Sequence, residues 1–345
     1  MGAGHRLGRG GLIRLAGLGA SAVALGVVIH SVDLAQTGRL LAAADPVPIA
    51  ACLLVVATQV GLRSVRWRVL LPKPASGTKI PLVRVAPVLL VGYLGNAVLP
   101  ARLGEPIRAY LVAGRERLDA AEAFGSVVLE RIVDTASLAV IVFLAADAVR
   151  APGWIVQAAG AAALVAGAVL AALVTVGLSP FARVGLRLAA RLPAADRTLR
   201  PATKLADFAR GVDRPSRSSA VLVAAVLSAA CWALDATTFY LVGRSVGAEI
   251  SPAMAVLISG VTVLGTAIPS APGYVGTFDL AAAATGVALG IAGPTALAVG
   301  VLAHAVTVLP TAAAGAASLV AMGARLGSLA KAVEPAGGTA APLAP

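Results

Sequence analysis

The sequence predicts an all-α polytopic membrane protein, with about six spanning helices and two opposed re-entrant helical hairpins arranged as an inverted repeat. Three observations lead there. Of the 345 residues, 59% are hydrophobic and only 13% charged, well below the roughly 25% charge of a soluble domain. Several apolar runs approach the ~20 residues that cross a bilayer. The basic residues gather in a few segments, and those segments fix which side each run starts from.

The apolar runs fall at roughly 12–30, 46–62, 82–99, 119–147, 154–178, 219–245, 252–269, 275–292 and 295–324. The first has a basic flank but no convincing cleavage site, so it reads as an uncleaved helix rather than a signal peptide. Residues 63–84 hold Arg63, Arg66, Arg68, Lys73, Lys79 and Arg84 without an acid, and residues 179–218 hold nine Arg/Lys against Asp196, Asp207 and Asp213. Both segments, and both chain termini, are expected on the cytoplasmic side of a bacterial plasma membrane. The net charge of +12 is thus read as orientation, with no nucleic acid among the partners. Trp67, flanked by arginines, reads as an interfacial anchor.

Residue 84 and residue 119 are both placed inside by this charge pattern, so residues 85–118 begin and end on one side. A helix in, a break at Asn96–Pro100 and a helix out satisfies that constraint. Non-helical backbone at membrane depth requires protein or a water-filled cavity around it. In the second half, 252–269 and 275–292 are joined through residues 268–279, with Pro269, Pro272, Gly273 and Gly276. A hairpin or two full spans fit the charges equally. With the hairpin, halves 46–147 and 219–324 form an inverted repeat, the pattern in which broken segments mark a transporter's binding site. The whole of 1–325 reads as one membrane domain, and 326–345 as a disordered tail. Residues 179–218 place Phe181, Val184, Leu186, Leu188 and Leu192 among arginines, consistent with an amphipathic interfacial helix or with an ordinary basic linker.

The candidate site is a set of charges at membrane depth. Glu130, Arg131 and Asp134 share one side of their helix, and a lone charge at the bilayer centre costs from ~2.5 to more than ~10 kcal/mol. Arg131 and Asp134 can pair at i,i+3; Glu130 needs a partner, for which Arg102 or Arg108 is the candidate. With Glu105 the set is electrically neutral. It reads either as a structural ion network or as a cavity whose arginines grip an anionic headgroup. Asn96, Pro272, Gly273, Gly276 and Asp279 complete the candidate binding set. Asp235 is expected to pair with the second hairpin or a cation, and His304 to pack or to relay a proton. Cys52 and Cys231 read as small buried hydrophobes. No hydrolase, zinc-protease or nucleotide-binding motif is present; GLGASA at 17–22 lacks the preceding strand that a dinucleotide site needs. No metal or cofactor is expected.

R-x-x-R-W-x-x-L-L (Arg63–Leu71), N-x-x-x-P-x-R-x-G-E (Asn96–Glu105), E-R-x-x-D (Glu130–Asp134) and P-x-x-P-G-x-x-G-x-x-D (Pro269–Asp279) together resemble the lysylphosphatidylglycerol synthase transmembrane region, a flippase-like family, over about residues 12–325. Family members often carry glutamate where Asp279 stands. The resemblance implies movement of lipids or lipid-linked headgroups between leaflets, with membrane lipids, anionic ones first, as partners and an envelope enzyme as a further candidate partner. Bifunctional members add an aminoacyl-transferase domain, for which 345 residues leave no room, so lipid aminoacylation is not expected. A membrane-embedded transferase using a lipid-linked donor, or a scaffold for an envelope lipid or glycan enzyme, are the alternatives.

Overall fold

The computed structural model describes residues 9–75, 77–191, 195–216, 218–266 and 270–333. Of the described residues 84% are helical, and none is in a strand. In order the helices are α1 (Arg9–Ser31), α2 (Leu34–Ala42), α3 (Pro46–Leu70), α4 (Leu82–Val98), α5 (Gly104–Glu116), α6 (Ala120–Ala148) and α7 (Gly153–Thr175), then α8 (Ser179–Ala189), α9 (Ala195–Ser216), α10 (Ser219–Ser245), α11 (Pro252–Gly265), α12 (Thr277–Ala288), α13 (Gly293–Ala321) and α14 (Leu326–Val333). Single 3-10 turns, Pro100–Arg102 and Pro272–Tyr274, precede α5 and α12.

Short-range chemistry sets the helix starts. Asp45 caps α3 through Val47 N–H and stands before a proline at the first helical position, where a missing N–H costs nothing. Asp119 caps α6 by accepting from the N–H groups of Ala121 and Glu122; Ser218 and Ser251 do the same for α10 and α11.

Among the described residues α3, α10 and α13 can cross a membrane by length and composition, and two sharply bent pairs, α1–α2 at 91° and α7–α8 at 66°, bring the number to as many as five. α6 matches α13 at 29 residues but carries Glu130, Arg131 and Asp134 mid-helix. The expected count of about six spans is therefore not reached by these criteria. α4, α5, α11 and α12 are shorter, with 17, 13, 14 and 12 residues. At ~1.5 Å per residue none reaches the ~30 Å of a hydrocarbon core.

The second half repeats the element order of the first at a nearly constant distance in sequence. The two 3-10 turns lie 172 residues apart, and α10, α12 and α13 begin 173 residues after α3, α5 and α6. α3 packs along α10, where Gln59 Nε2 donates to the Cys231 carbonyl and Arg63 meets Asp235, both pairs separated by 172 residues. α4 packs on α13 as α11 packs on α6.

Small residues permit the tight turn between α4 and α5. A Cβ on Gly104 would collide with the carbonyl oxygen of Gly92 and with Asn96. Asn96 Oδ1 accepts the Gly104 N–H at 3.0 Å, so the asparagine closes the break it sits beside.

Three expectations are corrected by this architecture. α3 does not end at residue 62; it continues two turns to Leu70, so Arg63, Arg66 and Trp67 are helical and face inward rather than lying in a basic loop. Trp67 is fully buried, not an interfacial anchor. The terminal segment is not a tail from residue 326: α14 packs on α5 with Leu329 buried, and residues 334–345 lie outside the described residues. The segment 179–218 forms two helices. α8 exposes Phe181, Val184 and Leu188. α9 docks on α6 through close approach of Gly125 and Gly211, while Leu192 lies outside the described residues.

Candidate functional site: a charged cavity between the two broken segments

α3, α5, α6 and α10 each turn polar groups toward one another. Arg66, 1% exposed, is the centre. Its Nη2 donates to Glu130 Oε1 at 2.7 Å, and its Nη1 donates to Asp134 Oδ1 and to Ser228 Oγ, the latter at 2.9 Å. Arg108 reaches Glu130 Oε2 at 2.8 Å, a charge contact without hydrogen-bond alignment. Its guanidinium lies 4.7 Å over the Trp67 ring, a cation–π contact that favours a desolvated arginine. Trp67 in turn donates to Ser126 Oγ. Arg131 stands 3.1 Å from Glu105 and 3.6 Å from Asp134, and Trp232 donates to the Asp134 carbonyl. Arg63 pairs with Asp235 at 2.8 Å. Buried charges survive only when paired in this way.

Beside the network is a cavity of about 300 Å3. It is lined by the polar side chains of Gln59, Arg63, Asn96, Glu105, Arg131, Asp134 and Asp235 and by apolar ones that include Leu138, Trp232, Phe239 and Val263. Both 3-10 turns contribute, through Arg102 from the first and Gly273 and Tyr274 from the second. Arg102 and Tyr274 are the last residues of their turns, and both have left-handed backbone, φ 54° and φ 61°. Non-glycine residues rarely adopt it, and where they do the strain tends to mark a functional position. The Arg102 guanidinium sits 5.3 Å over the Tyr274 ring, and its Nη2 donates to Thr266, to the carbonyl at 2.6 Å and the hydroxyl at 2.9 Å.

Of the predicted site residues, Asn96, Arg102, Glu105, Arg131, Asp134 and Gly273 reach the cavity. Arg108 and Glu130 are brought together, as expected, but lie behind it and are at most 2% exposed. Arg102 is not the partner of Glu130. Gly276 (φ 86°) gives its N–H to Asp279 Oδ2, and Asp279 Oδ1 lies 3.1 Å from His304 Nδ1. Pro272 opens the second 3-10 turn, and Pro269 lies outside the described residues. Asp235 pairs with Arg63, not with the second broken segment. Sequence reasoning missed Arg63, Arg66, Tyr274 and Thr266. The signal for the first two was present: Gln59, Arg63, Arg66 and Leu70 recur at i, i+4, i+7 and i+11, a helical stripe running past the apolar run.

Five arginines (Arg63, Arg66, Arg102, Arg108, Arg131) meet four carboxylates (Glu105, Glu130, Asp134, Asp235). Every one except Arg102 has an oppositely charged partner among the described residues. The excess positive charge is therefore Arg102, whose Nε and Nη1 are engaged by no described residue.

A helical membrane protein with a paired-charge network and an interior cavity between two broken segments is the class this defines. The family model for the lysylphosphatidylglycerol synthase TM region matches residues 14–315, and the chain belongs to that family. It is 28% identical over 339 residues to a glycosyltransferase, AglD, of Haloferax volcanii; the match covers 89% of this chain and 54% of AglD, so the chain spans about half of that relative's length.

Proposed function

We propose that the chain translocates an anionic lipid or lipid-linked headgroup between leaflets, with Arg102 as the group that receives the phosphate. The observation that carries this is the unmatched Arg102 at the cavity, held in strained backbone at the meeting point of the two turns. A guanidinium whose Nε and Nη1 are engaged by no described residue presents the planar fork that suits a phosphate. The remaining arginines are neutralised, so they hold the cavity's shape. In this reading α4–α5 and α11–α12 are re-entrant hairpins entering from opposite faces, and the two halves are an inverted repeat about an axis between α3 and α10. The subhelical lengths and the 172-residue pairing support it. In this reading the termini lie on the cytoplasmic side of a cell membrane, which the remaining basic segments support.

Purified protein in liposomes is expected to speed the inward movement of a fluorescent anionic phospholipid, read by quenching from outside, while its mass stays unchanged. A rate equal to that of protein-free liposomes contradicts the proposal. The name of the Haloferax relative favours one second reading, a transferase acting on a lipid-linked donor. That reading expects a lipid of altered mass in the same liposomes when donor is supplied. The topology has its own test in a variant with Cys52 and Cys231 replaced. Single cysteines at Lys79 and Arg115 should label from one side only, and those at Ser251 and Gly290 from the other; labelling of either pair from both sides contradicts the hairpins.

A further inference from the structure

His304 lies mid-way along α13, stacked on Phe278 at 4.4 Å between centroids. Both ring nitrogens face acceptors. Nε2 is 2.7 Å from the Gly273 carbonyl oxygen and Nδ1 is 3.1 Å from Asp279 Oδ1. A carbonyl oxygen only accepts, so Nε2 carries a proton there. Nδ1 then makes a hydrogen bond to the carboxylate only if a second proton lies on Nδ1 or on the carboxyl. A neutral imidazole facing an ionised carboxylate has one N–H for two acceptors, and whichever tautomer it takes, one lone pair points at an oxygen. Both hydrogen bonds therefore close together only when the pair holds one proton more than neutral imidazole with ionised carboxylate, whose net charge is −1.

What those two bonds secure is specific. Asp279 Oδ2 already accepts the Gly276 N–H at the start of α12. Gly273, at φ 70°, is the middle of the 3-10 turn whose last residue is Tyr274, and Tyr274 is the ring under Arg102. Other titratable groups stand on the elements packed against α13: Arg39 on α2, Arg63 on α3, Tyr93 on α4 and Asp235 on α10. Among the described residues, Asp279 alone is within ion-pair distance of the ring.

We propose that His304 and Asp279 form a proton-binding site that couples the second turn, and through it Arg102, to pH. With the proton bound, both hydrogen bonds close and the turn is fixed to α13. On release the proton passes to water, the imidazole retains one N–H, and one of the two bonds is lost. The pair also changes from neutral to −1, which cancels the single excess positive charge at the cavity. An anion at Arg102 and a proton at His304 thus bind together. The transport consequence rests on the function proposed above; the proton site itself does not.

The test uses the full chain in lipid nanodiscs. Its three histidines are labelled with 13C at Cε1, and the His304 signal is assigned as the one lost in His304→Gln. Between about pH 5.5 and about pH 9.5 the His304 signal should pass from one protonation state to the other, through a midpoint that differs in Asp279→Asn. Hydrogen exchange of the 270–280 backbone, corrected for intrinsic rate, should rise several-fold across that midpoint in the unsubstituted protein and be independent of pH in His304→Gln. If His304→Gln does not fold, the His304 signal is assigned by elimination from His5→Gln and His30→Gln, and the unsubstituted measurements still decide. A His304 signal fixed in one state over the range, or protection of 270–280 unchanged across its titration, overturns the proposal. If His304 titrates and the turn loosens while Arg102 variants leave lipid movement unaltered, the proton site stands and the transport reading falls. If lipid movement requires Arg102 but His304 does not titrate, the reverse holds.

Discussion

Replacing Arg66 by alanine removes the cation shared by Glu130 and Asp134. Glu130 keeps Arg108 at 2.8 Å, but Asp134 is left with Arg131 at 3.6 Å, and Ser228 loses its donor. The network of Arg66, Arg108 and Arg131 against Glu105, Glu130 and Asp134 passes from neutral to −1, around side chains that are almost entirely buried for Glu130 and Asp134. Breaking a buried pair by removing one partner costs about 3–5 kcal/mol, a large share of the ~5–15 kcal/mol that holds a typical protein folded. Reversible unfolding from mixed micelles by a denaturing detergent measures it. Arg66→Met combined with Asp134→Leu leaves Arg108–Glu130 and Arg131–Glu105 balanced, so the double variant should recover at least about 2 kcal/mol relative to Arg66→Met alone. A loss below about 1 kcal/mol for Arg66→Ala, or strict additivity in the double variant, would refute the role given to the network.

Gly104→Ala should cost more than about 3 kcal/mol or abolish folding, because its Cβ meets the Gly92 carbonyl rather than a flexible side chain; the same denaturation assay reads it, and a stability equal to the parent's would show the α4–α5 contact to be looser than described. At the start of α6, Lys204 bonds Asp119 at 2.6 Å. Burial opposes ionisation of Asp119, yet that bond and the N–H groups it caps hold its carboxyl below its ordinary value, and the Asp119 bond holds the Lys204 ammonium above its own. The pair's contribution is then complete between about pH 4 and about pH 10. It is lost as pH falls through the lowered Asp119 value, and again as pH rises through the raised Lys204 value. Because Lys204 is 63% exposed, Lys204→Ala should cost less than about 1 kcal/mol, measured as the difference in unfolding free energy at neutral pH; a larger loss would mean that α9 depends on this contact.

The apolar runs were legible because spanning helices advertise themselves by length: α10 has the bounds the sequence predicts, and α6 and α13 lie within a few residues of theirs. The break at Asn96–Pro100 was legible because proline and charge interrupt an otherwise apolar run. Arg63, Arg66 and Trp67 were misplaced for the opposite reason. A basic stretch without an acid reads as cytoplasmic, and the carboxylates that neutralise it arrive from α6 and α10, at sequence distances of 64, 68 and 172 residues. Charge counted locally therefore made a loop of the last two turns of α3. α2 escaped notice since its polar, short stretch has no spanning signal. The Arg102–Tyr274 contact was hidden in the same way, as two turns 172 residues apart carry no local mark that they meet. The Asp279–His304 pair joins two residues that were each noted, for different reasons, and never together.

The central claim is that Arg102 receives the headgroup while the other arginines hold the cavity. It is tested most directly by lipid movement in liposomes containing Arg102→Ala, with protein folding verified by the same denaturation assay. Loss of one charge-assisted contact to phosphate is worth about 1.5–3 kcal/mol. The account predicts an apparent affinity for anionic lipid weakened by roughly 10- to 100-fold in a protein that still folds, at a stability cost of about 1.5–3 kcal/mol from the lost Thr266 hydrogen bonds and without the larger cost of a broken ion pair. Unchanged movement of anionic lipid by a stable Arg102→Ala protein would contradict it.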